Sequence, residues 1–235
     1  MTGMSGAVKF LVLFTALLYF GVLVIPPIAT QPPTLPPGFE TALATTAAAS
    51  TISTAISLPA SLLFAFYGFR RGLAPVMPAV TFSTAVPHTA VGLLLLPLFA
   101  RLGVVDTFPA VVAAMSVVST PIGVGTLSTL FSNRNKGLDE FLQTLSLNDL
   151  AIIWLYLRSA PTTVASTVLL MWLRSFSELG AFLIVGMRPA TVGVYLYETF
   201  LRLGTAPAVT VALLVAVFGL VFSTLLFLLA RAAER

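Results

Sequence analysis

Two oppositely charged residues lie inside a long apolar stretch of the sequence. Arg174 and Glu178 are four positions apart within residues 162–185, a run long enough to span a membrane. A charge at the centre of a bilayer costs about 2.5 to 3.5 kcal/mol on insertion scales, so such residues usually face a protein interior or a water-filled path and pair together. On a helix this spacing places both side chains on one face, although arginine before glutamate is the less favourable order. The pair is therefore expected either to lock this helix against a neighbour or to line a path through the membrane.

The single histidine is the other residue whose side chain could take part in chemistry. His88 follows Pro87 near the middle of another apolar run. A proline frees a backbone carbonyl one turn earlier in a helix, and a neutral histidine can donate to that carbonyl. The alternative is a position beside a path through the membrane. With one histidine and no cysteine, the sequence predicts no disulfide, no thiol catalysis, no Cys/His zinc site and no cofactor.

The composition places these residues in a membrane protein. Of the 235 residues, 58% are apolar and 9% are charged, whereas soluble domains carry about 25% charged residues. Six spans of about 20 residues each would leave no room for a second folded domain, so residues 1–235 are expected to form one transmembrane domain. Neither Lys9 nor Lys136 lies in a G-x-x-x-x-G-K-[ST] pattern, so we expect no ATP hydrolysis by this chain. No nucleic-acid partner is expected, because the few basic residues are explained as topology signals.

Six apolar runs predict an all-α membrane protein with six transmembrane helices. The runs cover residues 10–29, 41–69, 76–99, 104–131, 162–185 and 207–229, and residues 186–206 are expected to form an outer loop. Pro26 and Pro27 are expected to end the first helix, and prolines within the third and fourth runs predict kinks. The second run carries hydroxyl residues at three- and four-residue spacing, which allows close helix packing in lipid. These residues are Thr46, Ser50, Ser53, Thr54, Ser57 and Ser61.

The basic residues predict the orientation of the spans. With the N-terminus inside, eight basic residues flank the cytoplasmic side and three flank the outer side. The cytoplasmic set is Lys9, Arg70, Arg71, Arg134, Lys136, Arg158, Arg231 and Arg235, and the outer set is Arg101, Arg188 and Arg202. Both termini and the polar residues 132–160 are therefore expected in the cytoplasm.

Residues 132–160 are too long for a simple connection between helices, which suggests a function. Their first half can form two helical turns with one apolar face, made by Leu138, Phe141, Leu142 and Leu145. Asn148 is a suitable N-cap for a second short helix over residues 149–157. Two short helices at a corner can fit a groove on a soluble partner, and the alternative is an amphipathic helix lying on the bilayer surface.

Three segments together resemble the permease subunits of ABC importers. The first is similar to the L-E-E-A-A-R-T-L-G run known as the EAA loop, and it consists of Leu138, Asp139, Glu140, Phe141, Leu142, Gln143, Thr144, Leu145 and Ser146. Here two bulky residues replace the alanines, and serine replaces the glycine. Residues 86–92, V-P-H-T-A-V-G, are similar to the I-P-H-T-V-A-G of the molybdate, tungstate and sulfate branch, and residues 174–181 are similar to its A-R-A-L-G-E-F-G-A. The order and spacing agree over about residues 41–230.

This resemblance implies a type I ABC importer permease. It implies a separate ATPase subunit bound at residues 138–146, an external substrate-binding protein, a second permease copy in a homodimer, and a prokaryotic plasma-membrane location. It also places Pro87, His88, Arg174, Ser177 and Glu178 beside a translocation path for a small oxyanion. The alternatives are a permease for another small substrate, an ATPase-independent secondary transporter and an intramembrane enzyme. An enzyme would need a cluster of acids, histidines or a serine with its base, and the predicted spans contain no such cluster.

Overall fold

The computed structural model describes residues 6–30, 36–70, 78, 80, 82, 84–132, 141, 142, 144, 145 and 147–232. Most of these residues are helical and none is in a strand, which confirms the predicted all-α class. The helices are α1 (Gly6–Thr30), α2 (Phe39–Arg70), α3 (His88–Leu102), α4 (Phe108–Ser132), α5 (Asp149–Ser159), α6 (Pro161–Phe176), α7 (Phe182–Val185), α8 (Val192–Leu203) and α9 (Thr205–Ala232).

Three of these helices are long and apolar enough to cross a bilayer. The spanning segments are Phe39–Phe69 in α2, Phe108–Ser132 in α4 and Thr205–Leu225 in α9. Shorter apolar helices cover Phe10–Tyr19 and His88–Leu102. Three of the six predicted runs therefore appear among the described residues as complete spans.

Two predictions that were based on the positions of prolines were wrong. Helix α1 continues through Pro26 and Pro27 to Thr30, because the fixed φ of proline is compatible with a helix even though two N–H donors are lost. Pro87 does not kink a span at its middle. Residues 84–87 form a turn, and Pro87, with φ −55° and ψ 136°, directly precedes the start of α3.

Two further boundaries also differ from the prediction. The fifth run is not one helix, since α6 ends at Phe176 and the short α7 begins at Phe182. The predicted outer loop over residues 186–206 contains α8. Thr191 begins that helix by accepting a hydrogen bond from the Val194 amide at 3.4 Å, an N-cap that stabilises the start of a helix.

The hydroxyl stripe of α2 takes part in close helix packing, as predicted, and the structure shows that its partners are α4 and α6. All six residues of the stripe are buried. The hydroxyls of Ser57 and Ser119 are 3.0 Å apart, and those of Ser53 and Ser175 are 3.2 Å apart. Ser61 donates to the Thr120 carbonyl at 3.1 Å. Small side chains let these helices approach closely, and the hydroxyls named above have partners, whereas the buried hydroxyl of Thr54 has none among the described residues. This packing fixes α4 and α6 side by side.

Gly123 of α4 lies at the tightest point of this packing. A Cβ atom at this position would lie 2.5 Å from Ser61 Oγ and 2.6 Å from Met171 Sδ. Ser61 has little freedom to move, because its hydroxyl donates to the carbonyls of Ser57 and Thr120. By contrast, a Cβ at Gly125 on the same helix would meet no atom within 4 Å.

We expect Gly123→Ala to lower the free energy of unfolding by about 1 to 3 kcal/mol through overpacking. The matched variant Gly125→Ala should be neutral or stabilising by about 0.5 to 1 kcal/mol, since alanine is the better helix former. Thermal unfolding of the two purified variants tests this difference. Equal melting temperatures for the two variants would show that α2, α4 and α6 are not packed this closely.

Candidate functional site

The break between α6 and α7 positions Glu178. Ser177 follows the last residue of α6, and Glu178 comes directly after it. The Glu178 carboxylate accepts a hydrogen bond from the Ala181 amide at 2.8 Å through Oε1, just before α7 begins. The side chain of Glu178 is 0% exposed. A fully buried carboxylate is tolerable only when it is paired and hydrogen-bonded, so its partners define the site.

Arg174 supplies the opposite charge. Its Nη2 donates to Glu178 Oε2 at 3.0 Å, and its side chain is 21% exposed. The sequence prediction that these two residues pair is confirmed, although Glu178 lies beyond the end of α6 rather than on its face. The Nη1 atom of Arg174 also donates to the hydroxyl of Ser177 at 3.4 Å. Ser177 and Glu178 thus hold the guanidinium at the end of α6.

His88 joins this pair from another helix. Its Nδ1 lies 3.0 Å from Arg174 Nη2 and 3.6 Å from Glu178 Oε2, and its Nε2 also contacts Arg174 Nη2. A guanidinium only donates, so the ring nitrogen facing it must accept, as a neutral imidazole can. The backbone carbonyl that was expected to accept from His88, four residues before Pro87, lies outside the described residues. Pro87 contributes by starting α3 directly before His88.

Two glycines bring the segments around His88 and Glu178 into contact. A Cβ at Gly180 would lie 2.8 Å from the Cβ of His88, and a Cβ at Gly92 would lie 2.7 Å from the Ala181 carbonyl oxygen. Any side chain at either position would push α3 away from the break. No role was predicted from the sequence for these glycines. Their presence in both short motifs was the available signal.

A cavity of about 180 Å³ opens beside this cluster. It is lined by Thr84, His88, Val91, Val117, Val118, Ile122 and Arg174. Glu178 is not among the lining residues and lies behind Arg174. The cavity is large enough for several water molecules. Its wall thus presents a cationic group whose charge is partly balanced from behind, among mainly aliphatic side chains.

The proposed ATPase-contacting segment is described at four positions. Phe141 is 57% exposed and Leu145 is 51% exposed, whereas Leu142 is 5% exposed. Leu142 packs in a cluster with Phe66 of α2 and Phe131 of α4. The expected single apolar face is therefore wrong, because Leu142 is turned into the protein. The other predicted members lie outside the described residues, namely Leu138, Asp139, Glu140, Gln143 and Ser146.

The second short helix of this segment begins as predicted. Asn148 Oδ1 accepts from the Ala151 amide at 2.8 Å, and α5 follows. Ile152 and Tyr156 join the buried cluster around Phe131, whereas Trp154 is exposed and carries the guanidinium of Arg158 5.1 Å above its ring. The segment therefore has one face anchored on α2 and α4 and one face free of the described residues.

These features agree with the comparisons with known proteins. The family described as "Binding-protein-dependent transport system inner membrane component" matches residues 57–235, and the chain belongs to this family of transport permeases. The motif resemblance to the molybdate and tungstate branch is likewise confirmed by the relatives.

Three relatives show this. The chain is 30% identical over 163 residues to the molybdate/tungstate transport system permease protein WtpB of Pyrococcus abyssi, covering 69% of this chain and 65% of that protein. It is 29% identical over 191 residues to the protein of the same name from Thermococcus kodakarensis, covering 80% and 76%. It is 28% identical over 145 residues to the tungstate uptake system permease protein TupB of Peptoclostridium acidaminophilum, covering 59% and 63%. The chain thus spans just under two thirds of the length of the first of these relatives. All three relatives are named as permeases, which are not enzymes.

The burial of Glu178 predicts a strong coupling between the two charges. Arg174→Gln leaves a buried carboxylate without its cation, and Glu178→Gln leaves the guanidinium without its anion. We expect each single variant to lose about 3 kcal/mol of unfolding free energy or more, and the double variant to recover most of this loss. Melting temperatures of the purified variants measure the effect.

The pair of Arg188 and Glu198 provides the control. Its shortest distance is similar, 3.1 Å, but the side chains are 54% and 18% exposed. The same substitutions at these residues should change stability by no more than about 1 kcal/mol. Simple additivity of the Arg174 and Glu178 substitutions would refute the coupling.

Proposed function

We propose that the chain is the permease subunit of an ATP-driven importer and forms the path for a small oxyanion such as molybdate, tungstate or sulfate. The observation that carries this proposal is the placement of Arg174 on the wall of the cavity, with the Glu178 carboxylate buried behind it. Family membership and the names of the relatives support it. Pro87, His88, Arg174, Ser177 and Glu178 are then the residues beside the path.

The arrangement suits a transported anion. An oxyanion entering low-dielectric surroundings needs positive charge or hydrogen-bond donors, but tight binding would prevent its release. Arg174 supplies the positive charge, and Glu178 at 3.0 Å reduces its net attraction. The remaining wall is formed mainly by Val91, Val117 and Ile122, which offer an anion nothing to bind. An oxyanion is thus attracted at one point and is not trapped.

Opening and closing of the translocation path requires energy from a partner subunit. The proposed coupling segment, residues 138–146, binds a separate ATPase subunit, which hydrolyses ATP for the complex. Leu142 and Ile152 pack against Phe66 and Phe131, near the ends of α2 and α4. A displacement of this segment is therefore transmitted to the helices that hold the cavity. An external substrate-binding protein delivers and selects the oxyanion.

The proposed topology has six spans, with both termini and residues 132–160 in the cytoplasm of a prokaryotic cell. The spans are α1, α2, α3 with the residues before it, α4, α6 with α7, and α9. The distribution of basic residues supports this orientation. One set of six helices forms half of a channel, and a second copy of the chain completes it as a homodimer.

The proposal is tested by uptake into proteoliposomes that contain the permease, its ATPase and its binding protein. Tungstate uptake is measured with molybdate and sulfate as competitors. The double variant Arg174→Gln/Glu178→Gln should remain folded but lose uptake by about 10- to 100-fold, because a charge-assisted interaction with the anion is removed. The control Arg188→Gln/Glu198→Gln should transport normally. Full uptake by the first double variant would remove Arg174 from the path.

The coupling segment yields a separate prediction. Phe141→Ala should leave the melting temperature unchanged but reduce copurification of the ATPase and transport-stimulated ATP hydrolysis, since Phe141 is exposed. Leu142→Ala should instead destabilise the permease by about 2 to 5 kcal/mol, since Leu142 is buried. Phe200→Ala, at an exposed phenylalanine of α8 on the proposed outer side, is the matched control. Normal ATPase binding and hydrolysis in Phe141→Ala would exclude this residue from the contact.

A further inference from the structure

A second cleft, of about 320 Å³, lies between α4 and α6 and is lined entirely by hydroxyl side chains. The lining residues are Thr126, Thr129, Thr162, Thr163, Ser166 and Thr167. They are neutral, and two packed helices contribute them. We call this feature the hydroxyl cleft.

Half of these hydroxyls already have an acceptor within their own helix. Thr126 donates to the Ile122 carbonyl at 2.9 Å, Thr129 donates to that of Thr126 at 2.7 Å, and Thr167 donates to that of Thr163 at 2.8 Å. The structure shows no side-chain hydrogen bond between the described residues and the other three hydroxyls, which are those of Thr162, Thr163 and Ser166. Ser166 is exposed, and the two threonines are half-buried. Three donors on the first turns of α6 thus remain available to a ligand.

The hydroxyl cleft and the cavity lined by Arg174 lie one after the other along α4 and α6. On α4 the cavity ends at Ile122, and the cleft begins at Thr126, about 6 Å further along the helix. On α6 Arg174 lies about 10 Å beyond Thr167. Since α4 leads into residues 133–160 and α6 leads out of them, both displacements point toward the same end of the helices. That end is the proposed cytoplasmic side.

We propose that the hydroxyl cleft is a second binding site for the transported oxyanion, on the cytoplasmic side of Arg174. This inference rests on the proposed function. The hydroxyls of Thr162, Thr163 and Ser166 donate to the oxygens of the anion without adding a positive charge. Neutral hydrogen bonds are roughly half as strong as charge-assisted ones. An anion that leaves Arg174 is therefore solvated again by neutral donors, which release it readily to water.

Protection of a cysteine tests occupancy directly, because the native chain has none. Ser166→Cys is placed in the complex with the ATPase and binding protein and is alkylated by a small neutral maleimide. Tungstate should slow this reaction at least about threefold, as expected when one or two hydrogen bonds hold an anion in the cleft. Chloride at matched ionic strength should have no effect. Thr224→Cys, at an exposed position of α9, should react at the same rate with and without tungstate.

Two results would overturn the proposal. Equal alkylation of Ser166→Cys with and without tungstate would mean that the anion does not occupy the cleft. Spontaneous cross-linking of Ser166→Cys between two copies of the chain would mean that the hydroxyls pack against another helix, a role that small hydroxyl residues also serve in membranes.

A transport measurement separates this proposal from the proposed function. Thr163→Val keeps the side-chain shape and removes the hydroxyl, so we expect maximal tungstate uptake to fall by about two- to tenfold with an unchanged melting temperature. Thr224→Val should have normal uptake. If the unmodified complex imports tungstate but Thr163→Val does so at the full rate, the cleft is not on the path while the proposed function stands. If the unmodified complex imports no oxyanion, both fail.

Discussion

The buried carboxylate of Glu178 is the constraint on which the rest of the site depends. Its side chain has no exposure, so both oxygens need partners within the protein. One oxygen accepts from the Ala181 amide, which requires the chain to leave α6 and restart as α7. The other accepts from Arg174, which draws the guanidinium to the end of α6. His88 completes the cluster from α3. The break, the position of the cation and the contact with α3 are thus consequences of satisfying one buried charge.

The framework around this cluster is held by hydroxyl and small residues instead of large apolar ones. Lipid tails are as apolar as leucine, so burial alone gives membrane helices little reason to associate. Contacts such as those of Ser57 with Ser119 and of Ser53 with Ser175 join α2 to α4 and α6. At Gly123, α4 approaches α2 and α6 closely. The cavity and the hydroxyl cleft lie on other surfaces of α4 and α6, outside this close contact. The packed core of α2, α4 and α6 therefore leaves polar surfaces accessible along the proposed path.

The sequence predicted the features that depend on composition and on energetic cost. The expense of an isolated charge in lipid was enough to predict that Arg174 and Glu178 pair, and the spacing of small hydroxyls predicted the buried face of α2. The break at residues 177–181 was not predictable in this way, because the run is apolar on both sides and the carboxylate caps α7 only in three dimensions. The same holds for His88, whose partners are 86 or more positions away in the chain. The prediction for Pro87 was wrong for a related reason, since proline occurs both at the start of a helix and at a kink within one.

Along α4 and α6, the polar groups change from a charged guanidinium in the cavity to neutral hydroxyls in the cleft. This order has a physical consequence for an anion. The cavity offers one guanidinium whose charge is partly balanced at 3.0 Å by Glu178. Beyond it, toward residues 133–160, only hydroxyls line the next cleft. A single strong cationic site would attract an anion and hold it, since attraction in low dielectric is large. Conduction instead requires binding that is favourable enough to enter and weak enough to leave. Partial neutralisation at Arg174, followed by neutral donors, satisfies both requirements, and the direction in which the donors weaken is the proposed direction of import.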